Sequence, residues 1–182
     1  MGILLSSEKD SQLTAFCDAD WAGYPNLRRY ITGYVIKLSK SLISWNPKKQ
    51  NTISRSSAKA EYRSMAAAVS EVLWLVGISK ELGVAIETPM KLLSDSRAAI
   101  QIVANPIFYE RTKHIEINLY FIPGKIQDGT IKTAHVTSKD QEADLFTKEL
   151  NKSQHSYLLR KLGVLNLFTL PSLKGIVEEY KS

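Results

Sequence analysis

The chain has 182 residues, 44% of them hydrophobic and 23% charged, enough for one domain with a substantial core. Its formal net charge is +6, and basic residues gather at Arg28-Arg29, Lys48-Lys49 and Arg111 to Lys113, a balance that fits either a polyanionic partner such as nucleic acid or a plain basic surface. The single Cys17 excludes an internal disulfide, no Cys/His cluster has zinc-finger spacing, and no apolar run reaches the length of a membrane span, so an intracellular protein, cytoplasmic or nuclear, with no membrane partner is expected.

Leu13 to Asp18 alternates as a strand does, and Trp21 to Asn26 carries the Gly, Pro and Asn of a turn. Ile31 to Leu38, β-branched and aromatic, and Ser41 to Trp45 follow closely enough to pair as a hairpin. The period then changes: Tyr62, Met65, Ala66, Val69, Val72, Leu73 and Val76 recur every three or four residues, the stripe of a long amphipathic helix. Ser56 or Ser57 is its N-cap and Gly83 its stop. Met90 to Ser94 reads as a buried strand entering a helix at Ser96 to Val103, which Asn105-Pro106 ends.

Lys113 to Gln127 has helical character that Pro123-Gly124 should break or kink. Ile131 to Val136 predicts a strand, and Gln141 to Lys148 and Lys152 to Lys161 predict helices. The order gives an α/β domain, a mixed five-stranded sheet flanked by helices. It spans residues 1–163 with a lead-in at 1–12, and residues 164–182 read as a loosely attached tail. Trp21 and Trp45 read as core aromatics.

Four carboxylates fall where such a sheet converges: Asp18 at the end of the first strand, Glu61 in the first turns of the long helix, Asp95 at the end of the fourth strand and Asp144 on a late helix. Acids gathered at strand ends repel one another unless cations neutralise them. Magnesium takes oxygen ligands and works with a few carboxylates plus substrate phosphates. Two such ions about 4 Å apart activate a water and stabilise a leaving oxygen. Each acid alone also has a structural use, as a turn or helix cap or a partner of a helix dipole. Glu61, four residues before Met65, borders the buried stripe and faces the sheet, where a solvated Glu would sit opposite.

The segments FCDADWAG (Phe16 to Gly23), RRYITGYVIKL, SLISWNPKKQNTISRSSAKAEYRSMA (Ser41 to Ala66), LLSDSRAAIQI (Leu92 to Ile102), ERTKHIEI (Glu110 to Ile117) and QEADLFTK (Gln141 to Lys148) together resemble, in order, the ribonuclease H domain of Ty1/copia-type retrotransposon polyproteins. The resemblance implies a ribonuclease H fold and a hydrolase that cuts the RNA strand of an RNA–DNA hybrid. It also implies two magnesium ions, with manganese as a substitute, held by Asp18, Glu61, Asp95 and Asp144 as both catalytic and metal-binding residues. Asp20 shares the strand parity of Asp18 and is its competitor.

Reading the 2′-hydroxyls of RNA falls to small polar groups near the metals, here Ser54, Ser56 and Ser57, each of which serves equally well as a helix cap. Lys48, Lys49, Arg55, Arg111 and Lys113 are candidates for gripping phosphates. The reverse transcriptase of the parent element is an expected partner.

No histidine precedes the last acid, where the wider superfamily carries one, but copia-type members resemble this chain in lacking it, so its absence is not a sign of decay. Two other features pull the other way. After RTKHIEI the family continues with acidic, histidine and Arg-Glu positions where this chain has Asn118, Tyr120 and Pro123-Gly124. Starting with Met, where a polyprotein continues from its polymerase, reads as a separately encoded fragment. A catalytically silent nucleic-acid-binding remnant is therefore the alternative, and an integrase-like nuclease is disfavoured because its glutamate comes last among the acids.

Overall fold

The structure, a computed structural model, describes residues 2–7, 10–21, 30–51, 53–54, 56–105 and 120–166. Arg28, Arg29, Arg55, Arg111, Lys113, His114 and Asn118 lie outside the described residues, as do most of the turn expected after Trp21 and the tail from residue 167.

Strands β2 (Gln12–Asp20), β3 (Ile31–Leu38) and β4 (Ser41–Lys49) form an antiparallel meander, and β5 (Glu87–Ser94) and β6 (Ile131–His135) run parallel to β2. The sheet order is β4-β3-β2-β5-β6, the expected mixed five-stranded sheet. Helices α1 (Ser57–Glu81), α2 (Arg97–Ala104) and α3 (Phe121–Gln127) pack into the core on one face; α4 (Asp144–Thr147) and α5 (Lys152–Lys161) belong to the other.

The alternation of β2 sorts its residues between these layers. Leu13, Ala15 and Cys17 join Met65, Val69, Val72, Ile102 and Ile122 in the larger core, whereas Phe16 meets Val35, Leu42, Ala143 and Leu162 in the smaller one. A fully buried Leu, Ile or Met is worth roughly 1.5–3 kcal/mol relative to exposure. On that measure the α1 face supplies most of the stability, and the α4 face is the thinner layer. Asp18 has the parity of Phe16, so it points to the α4 side.

Helix α1 begins where its cap falls. Ser56 accepts a hydrogen bond from the Lys59 amide, and Gly83, just past the C-cap Leu82, takes the left-handed φ of +73° that ends helices without a Cβ penalty. Ser96 caps α2 in the same way through the Ala99 amide, and Asn105 closes it.

Several expectations change in the folded chain. Strand β4 runs through Pro47 to Lys49 because it is the edge of the sheet, where a missing amide costs no ladder bond. Pro123-Gly124 does not break α3: Pro123 is the third helical residue, in the first turn, whose amides have no intrahelical partner in any case. Gln141 to Lys148 is not one helix. Gln141 instead reaches across with Nε2 to the Cys17 carbonyl at 3.0 Å, so α4 shortens to four residues behind a 3-10 turn at Ser138–Asp140. Trp21 and Trp45 are 42% and 46% exposed and are not core residues. The lead-in and the start of the tail meet, β1 (Gly2–Ile3) pairing with β7 (Val164–Leu165) in a separate two-stranded sheet.

Candidate metal centre

Strands β2 and β5 are parallel neighbours, with Phe16 opposite Leu93, so their C-terminal ends finish side by side. This is the edge where open α/β sheets collect ligands. Asp18 arrives on β2, and Asp95 follows the last residue of β5. Glu61 comes from the second turn of α1, and Asp144 opens α4. Tertiary bonds hold these elements in place: the Trp21 indole donates to the Ser54 carbonyl at 2.9 Å, tying the end of β2 to the entry of α1, and Ser64 donates to the Gly33 carbonyl at 3.0 Å.

Asp18, Glu61 and Asp95 each place a carboxylate oxygen within 4.8 Å of the others. Asp144 stands beside this group, joined to it through Lys148. The Lys148 ammonium lies 3.0 Å from Asp18 Oδ1, 2.9 Å from Asp144 Oδ1 and 3.8 Å from Asp95 Oδ2. Thr147 donates its hydroxyl to Asp18 Oδ2, and Ser138 donates to Asp95 Oδ2 at 3.0 Å. The Ala19 amide hydrogen-bonds the Glu61 carboxyl, yet Glu61 Oε2 is buried with no hydrogen-bond partner among the described residues.

Burial and crowding show in the protonation of the group. Glu61 is pushed up to about 9, first by burial and then by the charges of Asp18 and Asp95. Asp144 rises to about 6, by burial and then by Asp18. Burial also raises Asp18, against the pull of Lys148 and Thr147. For Lys148 burial works against the charged form, but Asp18 and Asp144 outweigh it and hold the ammonium above the ordinary lysine range. The cluster is thus short of positive charge. An all-oxygen donor set, an orphaned buried carboxylate oxygen and an ammonium drawn in between carboxylates together fit a hard divalent cation.

Gly33 makes room for this arrangement. It pairs with Asp18 in the β2–β3 ladder, and a Cβ built on it would stand 2.8 Å from Thr147 Cγ2 and 3.2 Å from Phe146 Cβ. A side chain there would force Thr147, and with it the packing of α4 on the sheet, to shift. A second ionic group anchors the other end of the layer: buried Glu142 accepts from Lys37 at 3.2 Å, and Asp140 accepts from Tyr157, Lys161 and Thr137.

The structure therefore gathers Asp18, Glu61 and Asp95, with Asp144 one step removed, while Asp20 is only half-buried and outside the gathered group. Ser54 is buried and donates its hydroxyl to the Ser56 carbonyl at 2.8 Å, and the Ser56 hydroxyl is engaged as the cap of α1. Ser57 is exposed, one turn before Glu61. Lys48 and Lys49 are exposed at the end of the edge strand β4. Lys148, Thr147 and Ser138 were not singled out from the sequence; the one available signal was Lys148 standing four residues after Asp144 in a helical segment.

No family model matches the chain. The retrovirus-related Pol polyprotein from transposon RE2 of Arabidopsis thaliana is 38% identical over 176 residues, 97% of this chain, and the chain spans 12% of the length of that relative. The N-terminal RNase H domain of a Mycobacterium tuberculosis protein, solved as a fusion with maltose binding protein, superposes with a TM-score of 0.51 at 14% identity, covering 82% of this chain and 97% of the other. LC11-RNase H1, solved in complex with an RNA/DNA hybrid, gives a TM-score of 0.50 at 16% identity, covering 75% and 94%.

Proposed function

We propose, for a chain that has the ribonuclease H fold and is homologous along nearly its whole length to a segment of retrovirus-related Pol polyproteins, that it is a metal-dependent endonuclease hydrolysing the RNA strand of RNA–DNA hybrids. The observation that carries this reading is the convergence of Asp18, Glu61 and Asp95 within 4.8 Å at the sheet edge. The unit responsible is residues 1–163.

Asp18, Glu61 and Asp95 would hold divalent magnesium, or manganese in its place, with Asp144 completing the set. Bound there, such ions supply Lewis-acid polarisation of a phosphodiester and lower the pKa of an attacking water. The chain's own residues do the positioning. Thr147 and Ser138 help fix the orientations of Asp18 and Asp95 by donating to one oxygen of each. Ser57, the exposed first residue of α1, is the side chain proposed to meet a 2′-hydroxyl, which distinguishes RNA from DNA. Lys48 and Lys49 offer cations for the phosphates of the paired strand, with the salt dependence such contacts bring.

The test is cleavage of a labelled RNA–DNA hybrid by the purified chain with and without magnesium, beside an Asp95→Asn variant, single-stranded RNA and duplex DNA. Magnesium-dependent cutting confined to the RNA of the hybrid, and lost in the variant, is expected. A folded chain that binds the hybrid and never cuts it would be a silent binding remnant, and the nuclease reading would fall.

A further inference from the structure

Lys148 sits among the proposed metal ligands, yet no part of the proposed reaction uses it. Its ammonium touches Asp18 of β2 and Asp144 of α4 at 3.0 and 2.9 Å and lies 3.8 Å from Asp95, which follows β5. One positive charge thereby bridges three elements that carry the acids. The two oxygens of Asp18 are both taken, Oδ1 by Lys148 and Oδ2 by Thr147. Each oxygen keeps a second lone pair, but a cation that enters among Asp18, Asp95 and Asp144 comes up against the ammonium already seated between them and competes with it for the same carboxylates.

The two donors are not equally easy to displace. Thr147 is buried and lies within α4. Lys148 is the C-cap residue of α4, with an extended backbone of φ −117° and ψ 151°, and its side chain is 34% exposed. A four-carbon stem rooted past the helix end swings into solvent without moving α4. An ammonium left in place would also face a dication across a few ångströms of poorly screened space, where like charges repel strongly.

We propose that Lys148 is the built-in counter-cation of this centre: its ammonium holds Asp18, Asp95 and Asp144 together in the metal-free chain and leaves as a divalent ion enters. Metal uptake is then an exchange of cations, and the lysine weakens it. The proposal rests on the reading of the carboxylates as a metal centre.

Calorimetric titration of the whole chain with manganese, in the wild type and in Lys148→Gln, Lys148→Arg and Asp95→Asn variants, tests it. Lys148→Gln is expected to bind manganese at least tenfold more tightly than the wild type. It should also melt lower in chelator and gain more from the metal. Lys148→Arg, which keeps the charge, should bind as weakly as the wild type. Equal or weaker binding by Lys148→Gln, with binding still abolished in Asp95→Asn, would overturn the role of Lys148 and leave the metal centre standing. Absence of binding in both the wild type and Lys148→Gln would overturn both. Should Lys148→Gln fail to fold, lysine-labelled nuclear magnetic resonance of the wild type decides. The Lys148 side-chain signal should move to the position of solvent-exposed lysines as magnesium saturates the chain, and a signal that stays put would overturn the exchange.

Discussion

A methyl group added at Gly33 tests whether close packing of α4 on β3 builds the carboxylate site. Gly33→Ala places a Cβ 2.8 Å from Thr147 Cγ2, 3.2 Å from Phe146 Cβ and 3.6 Å from the Ala143 carbonyl oxygen, three atoms that move together with α4. Gly33 is not among the glycines with positive φ, so the cost is steric rather than conformational. Overpacking of this kind costs about 1–3 kcal/mol. Replacing a strand glycine returns roughly 0.5–1 kcal/mol of unfolded-chain entropy. A net loss of about 1–2 kcal/mol corresponds to a melting temperature lower by about 2–8 °C in a chain of this size. Thermal and urea unfolding in chelator measure it.

Thr147→Ser removes the clashing Cγ2 and keeps the hydroxyl that donates to Asp18, so adding it to Gly33→Ala should recover much of the loss. That recovery would appear as a coupling of at least about 0.5 kcal/mol in a double-mutant cycle. Gly33→Ala within about 0.5 kcal/mol of the wild type, the range of an ordinary surface change, or the absence of coupling, would refute the packing argument.

Other consequences concern charge and burial. Because the folded pKa of Glu61 is raised to about 9, above its unfolded value, the metal-free chain binds the extra proton between about pH 4.5 and 9 and loses stability as pH rises through that window. Melting curves in chelator from pH 5 to 9 should slope downward, and Glu61→Gln should flatten the slope and melt higher at pH 8; an unchanged slope would contradict the assignment. Lys37→Met leaves buried Glu142 with Lys161, 4.0 Å away, as its one ion-pair partner among the described residues, and should cost about 3 kcal/mol or more, as breaking one side of a buried pair does, with a smaller loss at pH 5 and partial rescue by Glu142→Gln. Cys17 is fully buried and its thiol is raised by burial and then by Glu61 and Asp18, so thiol reagents should label it only at the rate of unfolding, and fast labelling of the native chain would count against the packing of β2.

How far the sequence reaches is clearest at particular residues. The switch from period two to period three or four marks β2 to β4 and then α1, because those periods follow from local backbone geometry. Ser56 and Gly83 cap and stop α1 for equally local reasons. The order of the elements and the resemblance to known polyproteins carried the fold and the four acids together. The residues that went astray depend on neighbours distant in sequence. Pro47 is harmless only because β4 is an edge, and Trp45 is exposed on that same edge strand while Trp21 lies just past the end of β2.

Gln141 leaves the helical path to reach Cys17, 124 residues away, and so sets where α4 begins. The ammonium of Lys148 takes its place between Asp18 and Asp144, 130 and 4 residues from it, because burial strips those carboxylates of water and leaves them short of positive charge. The amino-acid sequence by itself determined most of the elements and their order, since those are encoded in short-range pattern, whereas the set of acids came from the resemblance to known polyproteins. Which donors surround those acids, and which oxygen of Glu61 is left without a partner, was decided only by the tertiary structure, because desolvation and hydrogen-bond satisfaction depend on what the packed chain brings within a few ångströms.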